Sequence, residues 1–187
     1  RVNSDLIGKY VNIASRAAGF ITKHFDGALA FDAAVAEQLR EDATASQRLA
    51  TQAYNGRRFS QVVRDAMAIA DRINEAFDQA KPWTLAKDPA RRAELQDICS
   101  RALHGFKLLT VLLSPILTAT ASTVARDFFG LGRDFTWSDG ALMPTRVGAY
   151  APLLARTDPK LLEALLAPPK TPPTTATAPE TVPQRDT

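Results

Sequence analysis

The sequence predicts an all-α fold: an antiparallel bundle of about five helices followed by a disordered Pro/Thr-rich tail. Three observations lead there. Apolar residues recur at spacings of three and four along successive long stretches. The stretches are separated by brief Gly, Asn-Gly and Pro signals, and short connections make neighbouring helices antiparallel. No segment alternates with period two over a useful length.

The first helix is expected from Ser4 to about His24. Ile7, Tyr10, Val11, Ala14, Ala17, Ala18 and Ile21 form its apolar stripe, and Asp5, Lys9, Asn12, Arg16 and Lys23 occupy other faces. Asn3 or Ser4 would cap it, and Gly27 lies just past its end. The second, Phe31 to about Tyr54, is Ala-rich, with Val35, Leu39 and Leu49 as its main apolar anchors and Asn55-Gly56 as its closing turn. The third carries Phe59, Val62, Val63, Ala66, Met67, Ala70, Ile73, Ala76 and Phe77 on one stripe, and Pro82 stops it near Lys81 because proline disfavours helix in the residue before it. The fourth opens around Asp88-Pro89 and presents Leu95, Ile98, Cys99, Ala102, Leu103, Phe106, Leu109 and Leu113 on one face. Ser114-Pro115 fits an N-cap and first position for a fifth helix, running through Val124 to about Phe128 and ending at Gly130.

Composition narrows the function classes. With 187 residues, 45% of them hydrophobic and 23% charged, the chain suits one globular domain. A single Cys and two His exclude an internal disulfide and a Cys-type zinc knuckle. The richest apolar run, Leu108 to Leu117, is cut by Ser114 and Pro115 and falls short of a membrane span of roughly 18 residues. Arg1 stands where Met would begin a chain, and no targeting signal follows, so the start is expected to be a cut inside a longer, cytoplasmic polypeptide. The last twenty residues, 168–187, hold six of the twelve prolines and few large apolar side chains, too little to offset their ordering entropy. The expected organisation is a helical domain over 1–153, a short helical extension over 154–167 with its helix at Asp158 to Leu166, and a disordered linker over 168–187 whose charges cancel, leaving the +3 on the folded part.

Catalytic chemistry is sparse. There is no glycine-rich phosphate loop, no His cluster and no Ser, His and Asp at motif spacing. His24 suits a helix end, His104 lies beside an apolar face, and Cys99 falls on a core stripe. Three polar features remain. Asn12 and Arg16, four apart, share a helix face away from the apolar stripe; an amide and a planar guanidinium there suit a base edge or a phosphate, although such residues also occur as solvated surface. In Lys81-Pro82-Trp83 a ring follows a helix stop directly, forming either a stacking platform or a plug between helices. Basic residues are spread without a dense patch: Arg57-Arg58, Arg91-Arg92, and Lys9, Arg16 and Lys23. Trp137 is expected to pack onto the bundle.

Arg1-Val2-Asn3-Ser4-Asp5-Leu6 with Val11-Asn12-Ile13-Ala14-Ser15-Arg16-Ala17-Ala18-Gly19-Phe20-Ile21, then Val63-Arg64-Asp65-Ala66-Met67-Ala68-Ile69-Ala70-Asp71 and Ala80-Lys81-Pro82-Trp83-Thr84-Leu85-Ala86-Lys87, and finally Leu112-Leu113-Ser114-Pro115-Ile116-Leu117, are colinear motifs. Together they resemble the anticodon-binding domain of bacterial methionyl-tRNA synthetases over most of 1–153. The Phe31 to Tyr54 stretch and the tail match it poorly. The resemblance implies a class I ligase that joins methionine to tRNA through an ATP-derived adenylate. Its Rossmann catalytic domain would lie upstream, where the ATP signatures and a zinc-binding insertion belong. This chain, which carries none of them, would recognise tRNA without catalysing and hold no cofactor itself.

The resemblance also implies the site. Asn12 and Arg16 would read the cytosine of a CAU anticodon, Trp83 would stack a base with Pro82 fixing its approach, and Asp78 would repel the phosphates of misplaced or non-cognate loops. The tail suits a linker to a downstream OB-fold module that binds tRNA and dimerises the enzyme, and suits a plain chain end equally. The competing class is a helical protein–protein interaction module with no RNA sequence preference.

Overall fold

The computed structural model describes residues 2–154. The helix expected at Asp158 to Leu166 and the 168–187 linker lie outside them, as does all of the 154–167 extension beyond Leu154. A π-helical segment, Val2–Val11, runs directly into α1 (Asn12–Phe25). Next come α2 (Ala33–Asn55), α3 (Phe59–Ala80) and the single turn α4 (Pro82–Leu85). A 3-10 turn, Pro89–Arg91, leads into α5 (Arg92–Leu113). Then follow α6 (Thr118–Thr123), continued by a π-helical turn at Val124–Phe128, and a 3-10 turn at Trp137–Gly140. Among the described residues there are no strands, only one isolated antiparallel bridge between Ala28 and Arg146. The all-α bundle expected from periodicity is the fold observed.

The organising element is α5. From Ala102 to Leu113 every side chain is buried, including Phe106, Leu103 and Leu109, each of which contributes about 1.5–3 kcal/mol by leaving water. Its C-terminal half is thus covered all round rather than on the single stripe expected, because α1, α3 and the 3-10 turn at Trp137–Gly140 pack against different faces of it. Small residues permit the close approaches. The buried face of α1 is Ile13, Ala14, Ala17, Ala18 and Ile21. At Gly105 a β-carbon would meet Ile73 Cδ1 of α3, so a larger residue there would require the Ile73 side chain to shift. Tyr10 stacks on Phe106 with ring centroids 4.9 Å apart, and its hydroxyl shares a 2.7 Å hydrogen bond with Thr110 Oγ1. Gly27, at φ +78°, ends the α1 turn, and its carbonyl accepts a 2.9 Å bond from Val147 N, tying the 145–148 segment back to the bundle.

Several expectations are corrected. The first helix is under way by Val2, so Asn3 and Ser4 lie inside it instead of capping it. In α2, capped by the Asp32 carboxylate, the packed face is Ala36, Ala43, Gln47, Ala50 and Ala53, while Leu49 is 58% exposed and Val35 and Leu39 are only partly buried. Alanines let α2 lie close to its neighbours, and side-chain size alone misplaced its inner face. Ser114 is helical, with its hydroxyl donating to the Val111 carbonyl, so it closes α5 rather than capping a new helix; α6 begins only at Thr118. Trp137 packs on a small apolar cluster of Ala43, Ala50, Leu108 and Leu112, and against Tyr54, as expected.

Candidate nucleic-acid interface

Two helices meet along a polar seam. Lys9 Nζ donates to Asp71 Oδ2 at 2.7 Å, Asn12 Nδ2 donates to Asn74 Oδ1 at 3.1 Å, and the Arg16 guanidinium pairs with the Asp78 carboxylate. Each partner lies 62 residues further along the chain. The constant offset means that α1, with the segment leading into it, and α3 run parallel and in register, as first and third helices of an up-down bundle should. The helix period explains the spacing: steps of three and four return to one face, so 9, 12 and 16 form one row and 71, 74 and 78 the facing row.

The seam ends at the proline turn. Lys81 adopts a left-handed conformation, φ 48°, which breaks α3 and sends the chain sideways; Pro82, at the first position of α4, is buried, and Trp83 beside it is 43% exposed. The Arg16 guanidinium carbon lies 5.0 Å from the Phe77 ring centroid and 5.7 Å from that of Trp83. Arg16 is therefore positioned twice, by the Asp78 carboxylate and by two aromatic faces, and cation–π contacts of this kind contribute about 0.5–1 kcal/mol at exposed sites. The hydrogen bond that Lys9 donates to the Asp71 carboxylate holds the Lys9 ammonium above its ordinary pKa, so that rung stays charged at neutral pH.

Of the residues singled out in the sequence, Asn12, Arg16, Asp78 and Trp83 thus lie on one face, and Pro82, just before the ring in the chain, is buried. The acidic charge of Asp78 is engaged by Arg16. The scattered basic pairs behave differently: Arg91 is held by Glu94 at 2.7 and 2.6 Å, and Arg92 donates to the His24 carbonyl while lying 4.7 Å from the Phe25 centroid. Asn74, Asp71 and Phe77 were missed. A signal existed: Asp71, Asn74 and Asp78 repeat the spacing of Lys9, Asn12 and Arg16 with complementary chemistry, acid, amide, acid against base, amide, base.

Burial pushes the Cys99 thiol up to about 12, and burial, then the Lys107 ammonium, pushes His104 down to about 4. Among the described residues, no cluster of three His, Cys, Asp or Glu could hold a metal, and no helix is long and apolar enough to cross a membrane.

No protein-family model matches the chain. It is 43% identical over 173 residues to the methionine–tRNA ligase of Methylibium petroleiphilum, covering 92% of this chain and 25% of that protein. It is 46% identical over 173 residues to that of Burkholderia ambifaria, covering 89% and 23%. The structure resembles that of the free form of Mycobacterium tuberculosis methionyl-tRNA synthetase, with a TM-score of 0.72 at 18% identity over 85% of this chain and 34% of that one. The same synthetase in complex with methionyl-adenylate gives 0.64 at 17% identity, over 83% and 32%. The fold is thus the all-α bundle that methionyl-tRNA synthetases contain. The chain is similar to methionine–tRNA ligases over about nine-tenths of its own length, and it spans about a quarter of the length of the curated relatives it matches.

Proposed function

We propose that this chain is the anticodon-recognising domain of a methionine–tRNA ligase. The observation that carries the reading is the convergence of Asn12 and Arg16, from α1, with the exposed Trp83 ring after the buried Pro82. Anticodon bases are single-stranded, so they can be splayed out, stacked on an aromatic and addressed along their Watson–Crick edges. Trp83 stacks a base, a contact worth about 1–3 kcal/mol. Arg16, already lying against that ring, directs its remaining N–H groups at cytosine acceptors, and Asn12 completes the edge. Asp78 holds the guanidinium in place in the free domain and disfavours a phosphate arriving there instead of a base.

The rest of the enzyme follows from this reading. An upstream Rossmann domain supplies ATP-dependent formation of methionyl-adenylate, the joined product is methionyl-tRNA, and the setting is the cytoplasm. A downstream OB-fold module would add tRNA affinity and dimerisation. In the complete enzyme, Trp83→Ala is expected to lose most aminoacylation efficiency while methionine-dependent pyrophosphate exchange survives, since tRNA docking is what fails. Unchanged tRNA charging by that variant would refute the role of Trp83.

A further inference from the structure

We infer that Asn74, a residue of α3, is a specificity-determining positioning residue: it fixes which end of the Asn12 amide faces the ligand. The inference rests on the anticodon reading above and goes past it, to how one base is told from another.

An amide side chain has one acceptor oxygen and one two-proton donor, and its terminal torsion is soft, so its orientation is set by its neighbours. Asn74 leaves no freedom. Its Nδ2 lies 3.0 Å from the Lys9 carbonyl and 2.9 Å from the Ala70 carbonyl. A carbonyl can only accept, so both protons of Asn74 Nδ2 are committed, and the opposite end must be the oxygen. That oxygen is what Asn12 meets, 3.1 Å away. Asn12 therefore turns its own Nδ2 toward α3, and its Oδ1 accepts no hydrogen bond among the described residues. The Lys9 carbonyl stands just before the change from the π-helical segment to α1 at Asn12. Departures from the α-helix of this kind often accompany functional sites.

The consequence is chemical. With Asn12 turned this way, its outward oxygen can accept from the exocyclic amino group of cytosine, while one N–H remains free to donate. Uracil presents a carbonyl oxygen at the same position, so two acceptors would meet. If Asn74 lost its oxygen, Asn12 could rotate and offer its amino group to uracil. Asn74 touches no ligand in this arrangement; it locks the amide that does.

The test is binding of the purified chain to two anticodon stem-loops, CAU and UAU, at one low salt concentration, with Asn74→Ala beside the unaltered chain. Unaltered, the chain is expected to favour CAU by about tenfold or more, the discrimination of a good amide–base contact. Asn74→Ala is expected to bring the two within about threefold, chiefly by tightening UAU. Equal weakening of both, with the ratio kept, would overturn the inference and leave Asn74 a packing residue. Equal binding of both stem-loops by the unaltered chain would overturn the anticodon reading itself, and the inference with it. A measurement on the unaltered chain guards against misfolding of the variant. Scalar couplings across hydrogen bonds from Asn74 Nδ2 to the carbonyls of both Lys9 and Ala70 are expected by nuclear magnetic resonance, and a flipped or exchanging Asn74 amide would overturn the inference.

Discussion

Lys107 is a lysine where lysines rarely sit, and its charge makes a sharp prediction. It projects from the central helix α5, is only 4% exposed, and donates through Nζ to the backbone carbonyls of Asp139 and Leu142, which it ties to the bundle. Burial lowers its pKa from 10.5 to about 8, against the nearby Asp139 carboxylate, which acts to raise it. At about 1.4 kcal/mol per pH unit, the difference corresponds to about 3 kcal/mol of cost for keeping the ammonium buried at neutral pH. A neutral amine has two N–H groups, one for each carbonyl, so deprotonation loses neither bond. Between about pH 8 and 10.5 the unfolded chain binds more protons at this position than the folded chain does, and stability therefore rises with pH across that window.

Lys107→Met removes the charge and orphans two carbonyls, at about 1–3 kcal/mol each. At neutral pH relief of the buried charge offsets much of that loss. The advantage of the unaltered chain over the variant should then grow by up to about 3 kcal/mol as pH rises from about 7 to about 10.5. Urea denaturation followed by circular dichroism, on both proteins at each pH, measures it. The comparison cancels Cys99 and Tyr10, whose raised pKa values pull stability down in the same range and are common to both. A gap that stays constant from neutral to alkaline pH would show that burial does not lower the Lys107 pKa.

Other substitutions separate binding from stability. Gly27→Ala places a β-carbon against the Val147 carbonyl in a left-handed conformation costing about 1–2 kcal/mol before any clash, so its thermal midpoint should fall clearly. Leu49→Ser, at a position 58% exposed, should change stability by less than about 0.5 kcal/mol despite the apolar residue lost. Arg16→Lys keeps the charge but loses the planar fork that lies against Phe77 and Trp83, so stem-loop binding should weaken several-fold with little change in melting temperature.

Helix positions were legible because periodicity and punctuation agreed: α3 starts at Phe59 and ends just before Pro82 as the sequence requires. The polar face of α1 and the Pro-Trp turn were legible for the same reason. What sequence could not show is which of two competing faces packs. In α2 the larger Leu49 is outside and Ala43 is wholly inside, because close helix approach favours the small side chain. Lys107 was hidden by the strong tendency of lysines to be exposed, and its burial depends on two carbonyls more than thirty residues downstream. Asn74 has no local signature apart from its spacing to Asp71 and Asp78; its role emerges only when α1 and α3 are set in register.

The proposed anticodon reading rests on the α1 face beside Trp83. Titrating the chain with a CAU stem-loop, at two salt concentrations and with Trp83→Ala alongside, tests it most directly. Binding is expected to be salt-sensitive, to favour CAU over a loop with a changed first base, and to fall by about fivefold to a hundredfold in the variant. Binding indifferent both to the first base and to the loss of Trp83 would contradict that reading and mark the same surface as a protein-docking face.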